Sequence, residues 1–482
     1  MMPKEPTMQI SDKEIKKRDF ILHGNLWKVV LSIFIPLFIF SIIKYVYGIV
    51  DTIMCTGISK EAVNAVGALA QVNNMVSAIG MGLSTGGSIL IAKQIGKNNY
   101  KRARELTTTV FTYTVIIGVA TCVLVIPFAK PVLRALGITE ESIDVGTNYF
   151  IISLISQAVI MFNTVFMGVE KAKGSTVLIT VLNFVVVLIK IGLTALFLYQ
   201  WNLKSMTYVA LATLIANLLL TIYIVIHLLN KKYIFNFSHK DIDFKKVTFK
   251  KLAHICTPVF FGKFVFALGK VVVNSMAASY SNDVVGALNI SNTMGGSITS
   301  PIMSVTDSTS SIISQNIGGG NIKRAINTFY IGLVLTVGIG VIGVVILTIF
   351  NTPITMFFAR NAGSEQEQIA FAENISLVFF YEKMGIITLG INASVMGLLY
   401  GFGYTMVGMV LNIARVFLFR IPSFLFCRDI FKISDGYVAS GIAMGFSNIA
   451  IGIVAIVAAI IVISREYKKL RKKGEQNVNT GN

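Results

Sequence analysis

Charge is scarce in this chain. Only 13% of its 482 residues are charged, against about 25% in a soluble protein, which excludes an ordinary water-soluble globule. Acids are scarcest, with 23 Asp and Glu against 42 Lys and Arg and a formal charge of +19. The four cysteines (Cys55, Cys122, Cys256, Cys427) are scattered, which argues against a disulfide framework or a zinc site and leaves them as small buried side chains. The four histidines (His23, His227, His239, His254) fall at or beyond the ends of apolar runs and form no cluster. With no HExxH, and no GxSxG in a suitable context, neither a metal site nor an enzyme is expected. GxxxxGKS/T is missing too, and no nucleotide-binding domain follows, which argues against ATP hydrolysis. No cleavable signal peptide is visible: the first 28 residues are polar, with Lys4, Lys13, Lys16, Lys17, Arg18 and Lys28.

What is abundant is apolar sequence, 54% of the chain, in long unbroken blocks. About 20 such residues cross a bilayer as a helix, and the runs are too long and continuous for the alternating strands of a barrel. The chain is read as an all-α polytopic membrane protein with spans at 29–54, 62–92, 108–128, 147–168, 175–198, 207–228, 253–277, 284–314, 327–349, 369–400, 405–426 and 437–464. With the N-terminus inside, the inner segments hold 28 Lys and Arg, and the outer loops hold seven: Lys60, Lys130, Arg134, Lys204, Arg360, Arg428 and Lys432. This positive-inside bias predicts a multi-pass protein of the cell membrane with both termini cytoplasmic. The basic segments 231–251 and 465–475 then face anionic lipid headgroups, so membrane lipids, not nucleic acid, account for the excess charge.

The two halves repeat. IGKNNYKRA (95–103) matches IGGGNIKRA (317–325) at an offset of 222, which also relates Pro36 to Pro258. FMGVEKAKGSTVLITVLN (166–183) matches VMGLLYGFGYTMVGMVLN (395–412) at an offset of 229. Six helices per copy make the repeat parallel. The expected fold is two six-helix lobes related by a pseudo-two-fold along the membrane normal, with substrate binding between them near the midplane. The boundaries are 1–28 for an N-terminal tail, 29–228 for the N-lobe, 229–252 for a basic linker, 253–464 for the C-lobe and 465–482 for a basic tail.

Over residues 27 to 464 the chain resembles the multidrug and toxic compound extrusion (MATE) transporters. The resemblance rests on GIVDTIMCTGIS, GMGLSTGGSILIAKQIGKNNYKRA, MGVEKAKGST, LLYGFGYT and FRIP (419–422). It implies an antiporter that moves small organic molecules outward in exchange for H⁺ or Na⁺ by alternating access. The aspartate of its VDT motif, implicated in cation coupling, maps onto Asp51, and Asn183 belongs to the same site. Four residues after Asn183, where the family often has an aspartate, stands Val187, with Lys190 one turn further on. This departure disfavours Na⁺ in the N-lobe. It leaves proton exchange, an opening acid–lysine pair or a static salt bridge.

Charges inside the spans stand out, because each costs at least about 2.5–3.5 kcal/mol at a helix centre. They are Lys44, Lys190, Lys263, Lys270, Lys383, Arg415 and Arg420, with Asp51, Asp307 and Glu382. Lys44 precedes Asp51 by seven residues, on about the same helix face but about 10 Å away. Lys263 and Lys270 share a face of the seventh helix, with Asn274 one turn beyond. The acids that one branch of the family uses in its C-lobe are replaced by Phe266 and Leu389, and Glu382, two turns from Leu389, is a candidate substitute. A substrate cavity lined by Lys44, Lys190, Lys263, Lys270, Asn274, Glu382 and Arg415 has few acids, and so favours anionic or zwitterionic cargo such as an organic acid, a flavin-like molecule or a phosphorylated metabolite. The alternative for these lysines is pairing with Asp51 and Glu382, or snorkelling. Arg420 is expected as an anchor near the outer interface, and Asp307 in packing or gating. The alternative function is a lipid-linked precursor flippase of the same superfamily. No cofactor is expected beyond the coupling ion. The partners are a small organic substrate and lipid, and the chain works as a monomer.

Overall fold

A computed structural model of the chain describes residues 11–56, 60–135, 140–203, 205–360 and 362–479. It is helical nearly throughout, with no strand among the described residues. The first half contains α1 (Asp12–His23), α2 (Leu26–Thr56), α3 (Lys60–Gly96), α4 (Tyr100–Val125), α5 (Ala129–Ala135), α6 (Glu140–Lys173), α7 (Thr176–Ala195) and α8 (Met206–Leu229). The second half contains α9 (Lys246–Ala278), α10 (Asn282–Gly318), α11 (Ile322–Ile349), α12 (Asn351–Ala359), α13 (Glu365–Met384), α14 (Ile386–Phe402), α15 (Thr405–Ile413), α16 (Ile421–Leu425) and α17 (Gly436–Asn479).

Ten described helices are long and apolar enough to cross a membrane, and α13 with α14 makes an eleventh span, bent by 48°. The twelfth, α10, is too polar to stand out by hydropathy, because its hydroxyls and amides (Ser291, Thr306, Ser308, Thr309, Ser314, Gln315, Asn316) are buried inside the protein. Several helices exceed the apolar runs. The span expected at 108–128 begins at Tyr100, because the Asn99 side chain caps the polar first turn by accepting from the Arg102 N–H.

The chain forms two compact units. Unit 1 is Met1–Phe260 with Ser311–Ala325, and unit 2 is Phe261–Ser310 with Ile326–Asn482. In unit 1, α3 lies along α6 so closely that Gly80 faces Met161 and Gly168 faces Ser84, whose hydroxyl donates to Thr164 O at 2.7 Å. This is the close helix packing expected of GMGLSTGG. The two IG-N-KRA turns also meet within unit 1. A Cβ on Gly96 would strike the Gln315 carbonyl, and one on Gly318 would strike the Lys93 carbonyl.

The repeat is written in the backbone. Asn98 (φ 61°) and Gly320 (φ 82°), 222 residues apart, are both left-handed, as are Gly174 (φ 76°) and Gly403 (φ 87°), 229 apart. Gly adopts this conformation freely, and Asn does so more readily than other side chains.

The N-terminal residues are more than a polar tail. Helix α1 buries Ile21 and Leu22, and Arg18 donates to Ile95 O and Gly96 O, both at 3.0 Å, capping the carbonyl end of α3. Arg324 returns the favour, donating to Ile21 O at 3.2 Å and Gly24 O at 2.5 Å. The linker is likewise anchored: Tyr233, Ile234 and Phe235 are buried in the core of unit 1 with Phe166, Leu220 and Ile224. Tyr233 donates at 2.5 Å to the buried Glu170, whose carboxylate also accepts from Lys173 at 3.1 Å. Burial, reinforced by the Glu170 charge, pushes the Tyr233 phenol well above its usual range, so it remains a donor. The basic side chains Lys231, Lys232, Lys240, Lys245, Lys246, Lys250 and Lys251 stay exposed.

Asp243 fixes the far end of the linker. It accepts from Arg102 at 2.6 Å and from Thr248 at 2.7 Å. The Arg102 guanidinium holds its carboxyl down to about 2. A carboxyl depressed in the folded state stabilises above its unfolded pKa, and that contribution is lost as pH falls through the folded value. Asp243→Asn should therefore lower the thermal midpoint at pH 7. The gap to wild type, measured by thermal unfolding in detergent, should close between about pH 4 and about pH 2.

In unit 2 the long helix α17 packs on α13 and α14. The break at Gly385 has a local cause: a Cβ there would collide with the Asn448 side chain and the Gly445 carbonyl of α17. The Thr388 hydroxyl stitches the break, lying 2.9 Å from Gly385 O and 3.1 Å from Asn448 O. Three π-helical turns, Leu196–Gln200, Ala414–Arg420 and Phe426–Ile430, rephase the helices that carry them.

Candidate substrate and coupling sites

In unit 1, helices α3, α6, α7 and α8 enclose a cavity of about 190 Å³. Its lining is Asn73, Tyr149, Ser153, Ser156, Gln157, Lys190, Met206, Val209, Ala210 and Thr213. Lys190 supplies its charge, reaching over the Tyr47 ring of α2 at 4.7 Å from the centroid. The neighbouring α2 is held against α7 by Thr180, which donates to the Pro36 carbonyl at 2.7 Å. Ser77 fixes Gln157 by donating to its Oε1 at 2.8 Å. The cavity is polar beyond its own needs. Asn73 Oδ1 and Ser156 Oγ, with Tyr47 Oη beside them, are buried without hydrogen-bond partners among the described residues. Such groups are costly unless water or a ligand satisfies them.

Two other N-lobe candidates, Lys44 and Asn183, are not among its lining residues. Lys44 is exposed on α2. Asn183 is buried, and its amide donates to Ile179 O at 2.8 Å and contacts Met167 Sδ at 3.4 Å. The Asp51 side chain lies outside the described residues.

In unit 2 the candidates converge on a residue the sequence did not single out, Asn448. Its Oδ1 accepts from Arg415 Nε at 3.1 Å, Arg415 Nη2 at 2.8 Å and Arg420 Nη2 at 3.1 Å. Arg420 also donates to Ser447 Oγ at 3.0 Å. Arg420 is therefore not an interfacial anchor: it is only 2% exposed, drawn inward by the π turn it shares with Arg415. Arg415 is half-buried, its guanidinium 5.1 Å from the Phe266 centroid, and Lys270 approaches the same ring at 5.4 Å. Asn274 donates to Asn289 at 3.4 Å, and Lys263 is half-buried on α9.

Glu382 is buried at the end of α13, accepting from Ser291 at 2.5 Å, and Arg420, Arg415 and Lys270 act on it electrostatically. Its two-turn spacing to Leu389 is not that of a straight helix, since the bend at Gly385 intervenes. Lys383 points elsewhere, to Thr348 at 3.3 Å. Asp307, expected to be satisfied by its hydroxyl neighbours, is exposed on α10.

The MatE family profile matches residues 36–196 and 258–425, one match in each half of the chain. The chain belongs to the MATE family. It is thus a multi-pass membrane protein of twelve helices in two lobes, and a secondary transporter that exports compounds rather than an enzyme. Among curated MATE relatives, it is 22% identical over 376 residues to the probable multidrug resistance protein YoeA of Bacillus subtilis, covering 75% of this chain and 78% of that one. It is 21% identical over 447 residues to the FAD transporter of Shewanella oneidensis, covering 91% and 95%. A solved MOP superfamily transporter from Pyrococcus furiosus has the same fold, with a TM-score of 0.86, 18% identity and coverage of 95% and 99%. That protein is described by a binding pocket of reverse polarity that suggests a different function.

Proposed function

We propose that this MATE transporter exports anionic organic molecules of the flavin-nucleotide class. The observation that carries the reading is the unit 1 cavity, where an ammonium group, Lys190, and neutral hydrogen-bonding groups occur with no carboxylate among the described lining residues. In a site poor in water, an ammonium attracts anions and repels cations by several kcal/mol at contact distance. Tyr149, in the lining, offers an aromatic ring against which a planar ligand can pack. The FAD transporter of Shewanella oneidensis supports the substrate class, and the reverse-polarity pocket of the Pyrococcus protein supports the sign of the charge.

Export is coupled to inward H⁺ or Na⁺ movement, with Asp51 as the coupling carboxylate and Asn183 as a second residue of the coupling site. This rests on the VDT motif at 50–52. The charge bias of the loops supports a location in the cell membrane with both termini cytoplasmic. The working unit is a monomer in contact with lipid.

Equilibrium dialysis of the purified protein with FAD and with ethidium tests the substrate class. FAD should bind, ethidium should not, and Lys190→Ala should weaken FAD by about tenfold or more, as expected for loss of a charge-assisted contact. Binding of ethidium alone would overturn the reading.

A further inference from the structure

Unit 2 gathers more positive charge at one place than its neighbouring acid can balance. The charged groups that act on one another there are Lys270, Arg415, Arg420 and Glu382, a net of two positive charges. The two guanidinia converge on a single neutral acceptor, Asn448 Oδ1, at 2.8 to 3.1 Å. Behind them, Asn448 is 1% exposed, and its Nδ2 is a buried donor without a partner among the described residues. In front, Arg415 and Lys270 are half-buried around Phe266, so this side of the cluster is accessible. Buried charge left without a counter-ion is strongly destabilising, and a polar donor buried without an acceptor adds to that cost. An anion arriving on the accessible side would balance the charge.

We propose that the Arg415–Asn448–Arg420 cluster, with Lys270 at its rim, is an anion-binding site that takes a carboxylate or phosphate group, and that Glu382 is its resident competitor. The guanidinium fork favours oxyanions over spherical ions, because two parallel N–H groups match two oxygens. Glu382, held by Ser291 at 2.5 Å, contributes a like charge that opposes an entering anion. The site therefore binds with moderate affinity, as suits a group that must be released. None of these residues lines the Lys190 cavity, so this inference stands apart from the function proposed above.

The test is thermal unfolding of the full-length protein in detergent, titrated with sodium phosphate and with sodium chloride at matched ionic strength. Phosphate should raise the midpoint saturably and chloride should not. Glu382→Gln should tighten the half-saturation about tenfold by removing a like charge, and Arg415→Gln and Lys270→Gln should each weaken it about tenfold. Arg415→Lys, which keeps the charge, should retain part of the response and guards against loss of fold. Lys383→Gln, at a side chain turned to Thr348, should leave the phosphate response unchanged. If FAD produces the same Arg415-dependent shift at lower concentration than phosphate, the ligand group belongs to the substrate; if only phosphate does, it is a free anion. Either result supports the site. A midpoint that does not respond to phosphate, or a response undiminished in both Arg415→Gln and Lys270→Gln, overturns it and leaves the arginines as a clamp on α17.

Discussion

Lys190→Glu should lower FAD export at least about 100-fold, corresponding to about 2.7 kcal/mol. The substitution replaces the cavity's ammonium with a carboxylate, a change of two charge units at the position where the substrate's anion would sit. Between unit charges at contact distance the interaction is about 4 kcal/mol at an effective dielectric of 20, so half of it already exceeds a factor of 10. Lys190→Met, which keeps the stem and removes the charge, should fall between the variant and wild type. Helix packing should survive both changes, because Lys190 is half-buried beside the Tyr47 ring rather than wedged into the core. Initial rates in proteoliposomes containing equal amounts of each protein check the order. A cationic dye should be carried better by Lys190→Glu than by wild type, since the sign of the field is reversed. Equal FAD rates in all three proteins would remove Lys190 from the substrate path.

Gly318→Val should be the most damaging single change to the fold. Its Cβ would overlap the Lys93 carbonyl, and the reciprocal Gly96 faces the Gln315 carbonyl in the same way. Backbone atoms on both sides cannot swing aside as a flexible side chain can, so overpacking at this contact should cost about 3 kcal/mol or more. The expected result is loss of folded protein by detergent size-exclusion chromatography, or a strongly lowered thermal midpoint. Gly320→Asn is the matched control. A Cβ at Gly320 meets nothing within 4 Å, and its repeat partner Asn98 already adopts the same left-handed conformation. That variant should stay within about 1 kcal/mol of wild type. If Gly318→Val unfolds at the wild-type temperature, the two turns do not meet as described.

The sequence made some of this legible and hid the rest for identifiable reasons. Long apolar runs announce spans because lipid demands them, and the repeated IG-N-KRA and MG segments announced the two lobes because turn geometry constrains residue type. Helix α10 was legible as the span at 284–314, but its buried hydroxyls and amides depress its hydropathy. The role of α1 was hidden, because Arg18 and Arg324 act through backbone carbonyls, which leave no mark on the sequence. Gly385 gave no sign of a break, because glycine also occurs at straight helix contacts; the cause lies in α17, whose Asn448 carbonyl accepts from Thr388 of α14, 60 residues away along the chain.

At the candidate sites the charges were visible and their neutral partners were not. Lys190, Lys270, Glu382 and Arg415 stand out because ionisable groups in apolar runs are expensive. Asn448, Ser291, Asn73 and Ser156 do not, because neutral polar residues are common in membrane helices and reveal their use only by what they touch. Arg420 was seen but misplaced: regular helix phase does not anticipate the π turn at Ala414–Arg420 that buries it.

On the function proposed above, this MATE protein carries anions. The most direct test is paired transport by the wild-type protein in proteoliposomes, with FAD in one set and ethidium in the other, under the same imposed H⁺ or Na⁺ gradient. The polarity of the Lys190 cavity predicts that FAD moves above the protein-free background and ethidium does not. Movement of ethidium with FAD at background would contradict it.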